Sequence, residues 1–276
     1  MNLLEVLGNI FGGLTFTWAN AVMLLIGGTL IYLAVAKEYE PVLLLPIGFG
    51  CILANLGMSA YAEESFMRVI YKAGIETELF PLLIFIGVGA MIDFRPLLAQ
   101  PRLALLGAAG QFGIFGTLLL ATALGFPLNE AASIGVIGAI DGPTAIFVTT
   151  KLAPHLLGPI AVAAYSYMSL IPIIQPPIMR LMTTRKERLI RMDYAPRPVS
   201  RVTAVAFPIV VTVAISLIAP SAAPLIAALM LGNLLREAGV VDRLSKAAQN
   251  EIINIETLFL GLAIGSFLFF EYVLHN

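Results

Sequence analysis

Residues 135–147 read Gly135-Val136-Ile137-Gly138-Ala139-Ile140-Asp141-Gly142-Pro143-Thr144-Ala145-Ile146-Phe147. They place an aspartate in the middle of an apolar segment, 131–150, with a helix breaker directly behind it. An acidic side chain at the centre of a bilayer costs about 2.5–3.5 kcal/mol on insertion scales, so it persists where it pairs, binds a cation or titrates. Proline lacks an amide donor and disfavours helix at the residue before it. The helix is therefore predicted to break at Gly142-Pro143 and to free carbonyl oxygens beside the carboxylate. That carboxylate, those carbonyls and the Thr144 hydroxyl are hard oxygen ligands suited to a small hard cation such as Na⁺. The same residues also suit a capping aspartate at the start of a second half-helix, and capping does not exclude ion binding.

The rest of the chain makes lipid the solvent. Of 276 residues 59% are hydrophobic and only 12% charged, with a mean hydropathy of +0.94. Soluble domains carry about 25% charged residues. The fold class is all-α, a polytopic membrane protein. A net charge of -1 gives no basic surface for nucleic acid. Cys51 has no second cysteine to pair with, and Met1 to Glu5 lacks the basic start of a cleavable leader. Apolar segments fall at 17–35, 41–55, 79–92, 103–124, 131–150, 156–180, 203–219, 221–235 and 256–274. Three of them (41–55, 79–92 and 221–235) are shorter than the roughly 20 residues of a spanning helix. Short Gly- and Pro-interrupted segments are read as broken or re-entrant helices around a transport site.

The connector 181–202, taken from Arg180 to Arg201, holds Arg180, Arg185, Lys186, Arg188, Arg191, Arg197 and Arg201 against Glu187 and Asp193. By the positive-inside rule this loop is cytoplasmic. Arg95 and Arg102 conflict with a simple alternation of spans, and a re-entrant segment between them and the loop would remove the conflict. A weak internal repeat matches Pro46 and Asn55-Leu56 to Pro224 and Asn233-Leu234, and Ile75-Glu76-Thr77 to Ile255-Glu256-Thr257. One transmembrane domain, 1–276, is thus divided into a first repeat with a linking helix (17–180), the basic loop (181–202) and the start of a second repeat (203–276), the two repeats read as inverted. Counterparts of 103–150 are not present after Thr257, so the second repeat is expected to be incomplete.

Tyr165-Ser166-Tyr167-Met168-Ser169, followed by Pro172 and Gln175-Pro176-Pro177, puts four hydroxyls in five residues. A tyrosine in a dry site can deliver a proton; an aromatic belt or helix-to-helix hydrogen bonds would use the same residues. Gln175 before two prolines predicts a second unwound stretch. Asn55 and Asn233, near the ends of two short segments, offer amide oxygens to a cation shell or C-caps beside Gly57 and Gly239. Gln111 among the glycines of 107–116 suits helix packing, and His155 and His275 show no metal-ligand spacing. A secondary Na⁺ symporter or antiporter fits these features as well as a Na⁺-coupled enzyme subunit does, with a non-catalytic scaffold as a third reading.

Gly138 to Ile146, Ile86-Gly87-Val88-Gly89-Ala90-Met91, Tyr165 to Pro177 and Pro46-Ile47-Gly48-Phe49-Gly50-Cys51 resemble the β subunit of sodium-pumping biotin-dependent decarboxylases acting on oxaloacetate, methylmalonyl-CoA, glutaconyl-CoA or malonate. The resemblance implies a membrane subunit that decarboxylates carboxybiotin, takes up a proton and exports Na⁺. It implies Asp141 and Tyr167 as catalytic, with Asp141 the Na⁺-contacting and coupling carboxylate and Tyr167 the proton donor; Thr144, Asn233 and Asn55 stand as further Na⁺-ligand candidates on their oxygen chemistry and position alone. It also implies an α carboxyltransferase and biotin-carrier partner, a small γ-type membrane subunit, homo-oligomers as a further possibility, and a bacterial inner membrane. Family members continue into a further Asn-, Ser- and Arg-bearing motif that this sequence, ending at Asn276, does not contain.

Overall fold

The computed structural model describes residues 17–58, 65–191 and 198–268, without the side chains of Ser166, Met168, Ser169, Leu170 and Pro172. His275 and the aromatic tail from Phe269 onward lie outside the described residues. All regular structure among the described residues is helical, as a backbone in hydrocarbon requires when every amide must bond within its own segment.

Helix α1 (Trp18–Ala36) starts from a Thr17 and Asn20 capping box and pairs antiparallel with α2 (Pro41–Leu53), where Asn20 Nδ2 donates to the Asn55 carbonyl at 3.2 Å. A π turn, Ala54–Met58, follows, in which Leu56 and Gly57 leave helical geometry, so the regular helix stops near Asn55. Helix α3 (Phe66–Ile70) and a π turn, Tyr71–Glu76, precede α4 (Leu79–Met91), with a 58° bend between the two arms. Helix α5 (Arg95–Ala99) is a short connector and α6 (Ala104–Ala123) a full span. Next come α7 (Leu128–Gly135), α8 (Gly142–Leu152), α9 (Leu157–Met182) and the four-residue α10 (Arg185–Arg188). The last described elements are α11 (Arg201–Ile218), α12 (Ala223–Ala238), α13 (Asp242–Ala247) and, after a third π turn at Ala248–Ile252, α14 (Ile253–Gly265).

Two close helix crossings hold the centre, α2 on α14 and α4 on α12. Glycine makes both possible. A Cβ on Gly50 would run into the Leu262 carbonyl, and one on Gly232 into the Ile86 carbonyl. In each crossing an asparagine ties down the far helix end. Asn55 Nδ2 donates to the carbonyl of Leu268, just past α14, at 2.7 Å; Asn233 Nδ2 donates to that of Ile92, just past α4, at 3.0 Å.

The ends of the helices fix the path of the chain. Arg95 donates to Glu237 at 2.8 Å, and Arg201 donates to the Ala238 carbonyl at 2.5 Å. The C-terminal ends of α4 and α12 and the start of α11 therefore share one face. At the other end of α4, Glu78 pairs with Lys151 at 2.7 Å. There Asn129 Nδ2 meets the Leu152 carbonyl at 3.0 Å, and Glu130 meets His155 at 3.1 Å. Both outer ends of 128–152 thus lie together, so α7 and α8 form a re-entrant hairpin. Neither arm, at 8 and 11 residues, approaches a span. Outside the hairpin, α6 and α9 are then the long helices between Arg102 and the basic loop.

Candidate functional site: the tip of a re-entrant hairpin

The hairpin reverses at Asp141, and the sequence explains how. After α7 the chain tightens into a 3₁₀ turn, Val136–Ala139. This turn lies against α6 with almost no space: a Cβ on Gly138 would come within 2.8 Å of the Gly113 carbonyl oxygen, and one on Gly135 within 2.9 Å of Leu118 Cβ. Ile140 then takes a left-handed conformation (φ 59°, ψ 37°). A β-branched residue there costs about 1–3 kcal/mol and persists only where its surroundings impose it. Asp141 is extended (φ −140°, ψ 104°) and stands at the N-cap of α8, with Pro143 in the first turn. The expected break is present at the expected residues. It is a reversal of direction, however, not a kink in one span.

Asp141 is half-buried. Its carboxylate accepts from the Thr144 hydroxyl, and its carbonyl accepts from the Ala145 amide at 3.0 Å. The positive end of α8 faces the same carboxylate and favours its charged form, while working against a cation placed beside it. Two tyrosines of α9 straddle the tip. Tyr167 Oη donates to the Ile137 carbonyl at 2.8 Å, on the 3₁₀ side. The Tyr165 ring, 2% exposed, packs on Gly142, where a Cβ would lie 2.8 Å from its hydroxyl oxygen. Sequence spacing set these two residues on different faces of α9. The structure gives each face a purpose by fitting the hairpin between them.

The other expected ligands lie elsewhere. Asn55 and Asn233 sit at the two central crossings, and neither hydrogen-bonds Asp141 or Thr144. Each keeps a buried Oδ1 without a partner. Both thus have an acceptor to offer, but at two positions apart from the tip. Among the described residues no group of three or more His, Cys, Asp or Glu gathers as a metal site.

Two expectations do not hold. Gln175, Pro176 and Pro177 lie inside continuous α9, not in an unwound stretch. Membrane helices tolerate proline when other groups satisfy the freed carbonyls. Gln111 is exposed on α6 and takes no part in the helix packing, which runs through Gly113 instead. Sequence reasoning missed Tyr165 against Gly142, the Lys151–Glu78 pair and the Glu130–His155 contact. The partners are far apart in sequence, and no local pattern joins them.

Together these features define a polytopic α-helical membrane protein with a carboxylate held at a re-entrant helix tip, the kind of site that serves ion-coupled membrane proteins. Residues 19–276 match the family model described as the Na⁺-transporting oxaloacetate decarboxylase beta subunit. The chain is 58% identical over 254 residues to the methylmalonyl-CoA decarboxylase subunit beta of Veillonella parvula, covering 92% of this chain and 67% of that protein. Against the glutaconyl-CoA decarboxylase subunit beta of Acidaminococcus fermentans it is 54% identical, covering 92% and 68%. Against the oxaloacetate decarboxylase beta chain of Klebsiella pneumoniae it is 45% identical, covering 90% and 71%. The chain belongs to the β-subunit family of Na⁺-transporting decarboxylases, whose members are subunits of larger complexes.

Proposed function

We propose that this chain is the membrane subunit that decarboxylates carboxybiotin presented by a partner, takes up a proton and couples this to Na⁺ export. The observation that carries the reading is the hairpin tip, where the Asp141 carboxylate and the Thr144 hydroxyl meet between two tyrosines. Carboxybiotin, carried as a substrate on a partner, supplies the exergonic loss of CO₂. This chain has to bind Na⁺, exclude water and supply the proton.

Asp141 does the coupling. A single carboxylate binds Na⁺ or H⁺ in alternation, so arrival of one expels the other. Moving one charge against 100 mV costs about 2.3 kcal/mol, which the decarboxylation must exceed. Thr144 is a further ligand. Its hydroxyl has an oxygen lone pair for Na⁺ once its hydrogen turns away from the carboxylate. Tyr167 is the proton donor. To act it gives up its bond to the Ile137 carbonyl, at a net cost of about 0.5–1.5 kcal/mol. The Asn55 and Asn233 amide oxygens serve as Na⁺ contacts away from the tip, one at each crossing.

Those two crossings support an inverted repeat. Helix, π turn and helix recur in the same order in 66–91 and 242–265, and each Asn ties the end of the other half's helix. With 181–202 on the cytoplasmic side of a bacterial inner membrane, the hairpin enters from outside with its tip pointing inward. The basic loop is then available to an α carboxyltransferase and biotin-carrier subunit. A small γ-type membrane subunit and further copies of the chain complete the complex. The choice of acid or acyl-CoA belongs to the partner.

The test is decarboxylation of free carboxybiotin by the purified subunit in membranes, with and without Na⁺, beside Asp141→Asn. Activity that needs Na⁺ and vanishes in the variant is the expected result. Partner-independent, Na⁺-driven solute flux would instead identify a secondary transporter. Unchanged activity in Asp141→Asn would remove the carboxylate from the mechanism.

A further inference from the structure

We propose that the groove between α11 and α12 holds one anionic glycerophospholipid, with an acyl chain in the groove and its phosphate on Arg201. The inference needs only the membrane setting, not the decarboxylase reading. Two voids adjoin along these helices. One, of about 250 Å³, is lined among others by Pro208, Thr212, Ala227, Met230 and Leu234. The other, of about 500 Å³, is lined by Arg201, Val202, Val205, Ala206, Ile209 and Ala238. Ile209 lines both, so the two open grooves adjoin along the helix pair. Small side chains at Ala206, Ala227 and Ala238 carve them.

The chemistry of the lining selects the occupant. Thr212 is the one side-chain hydroxyl on these walls, and it donates to the Pro208 carbonyl at 2.7 Å. Away from Arg201 the walls therefore offer a guest no free side-chain donor, which suits hydrocarbon and not a polar molecule. Helix α11 faces outward, with only 11% of its apolar window buried. At one mouth stands Arg201. Its Nη2 donates to the Ala238 carbonyl at 2.5 Å, which fixes the guanidinium at the end of α12. Four of its five N–H donors remain, and no carboxylate among the described residues pairs with it. A fixed cation with no carboxylate partner among the described residues, at the mouth of an apolar groove, matches a phosphate with a chain attached. Basic pockets between membrane helices recognise anionic lipid in this way.

The experiment uses the full chain in detergent. Phosphatidylglycerol and phosphatidylcholine with identical chains are added in equal amounts, and bound lipid is read by native mass spectrometry. Phosphatidylglycerol should be retained in preference. Arg201→Gln should lower its occupancy about fivefold, the worth of one surface cation, and leave phosphatidylcholine unchanged. Arg201→Lys should keep most of the preference, and Ala227→Phe, which fills the groove, should lower both lipids. Equal retention of the two lipids, or a preference untouched by Arg201→Gln, overturns the proposal. So does stripping of the lipid by inorganic phosphate, which would mean a simple anion site. Stripping by added partner subunits would assign the groove to a protein helix and also overturn it.

Discussion

Gly142→Ala tests the geometry of the tip with one methyl group. The new Cβ would overlap the Tyr165 ring at Cε1 and lie 2.8 Å from its hydroxyl oxygen. Tyr165 is 2% exposed and cannot swing into open space. By backbone preference alone the substitution should help, because alanine is better than glycine in a helix by about 0.5–1 kcal/mol. Overpacking a filled core costs about 1–3 kcal/mol. The steric cost should win, leaving a net loss of roughly 1–2 kcal/mol. Thermal unfolding in detergent measures this. A second background isolates the cause: in Tyr165→Leu the ring is gone, and Gly142→Ala should become neutral or slightly stabilising. If Gly142→Ala is as stable as the parent, or if its penalty survives in Tyr165→Leu, Tyr165 does not pack on the tip as described. The same pair should also separate stability from coupling. Residual Na⁺-stimulated decarboxylation should fall in Gly142→Ala and partly return in the double variant.

Tyr167→Phe removes the bond to the Ile137 carbonyl. It should cost about 1 kcal/mol of stability and lower kcat with the half-saturating Na⁺ concentration unchanged. A change in Na⁺ affinity alone would make Tyr167 a ligand-positioning residue rather than the proton donor. Asn233→Leu should lose about 1 kcal/mol with its bond to the Ile92 carbonyl. Asn233→Asp should lose more in K⁺, because it turns a charge toward that carbonyl, and recover selectively in Na⁺. Equal melting in the two salts would remove Asn233 from the Na⁺ pathway. In the basic loop, the Thr184 amide and hydroxyl donate to Glu187 and hold its carboxyl below the usual carboxylate range. A lowered carboxylate stabilises its turn above the ordinary pKa, and that support is lost as pH falls through the lowered folded value. Amide protection at Glu187 should therefore persist at neutral pH, fade only in that acidic window, and be absent at neutral pH in Thr184→Ala.

Much of the chemistry was legible in the chain. Asp141 stood out because a charge in an apolar segment must be compensated whatever surrounds it. Gly142-Pro143 fixed the break because missing donors and steric limits are properties of single residues. The basic loop predicts a side because insertion reads charge locally. The all-helical class followed from composition, since a backbone in lipid has few alternatives. Other features depended on residues far apart in sequence. Whether 131–150 crosses or turns back was decided by Asn129 meeting Leu152, and by Glu130 meeting His155. Neither contact leaves a periodicity to read. Which tyrosine touches the tip depended on a ring filling the space a glycine leaves. The separation of Asn55 and Asn233 from Asp141 came from two helix crossings that pair each half of the chain with the other. Sequence thus determined which groups lipid would force into partnership, because the cost of an unpaired charge or amide is local. Only tertiary structure decided which partners they took, because packing is settled between segments.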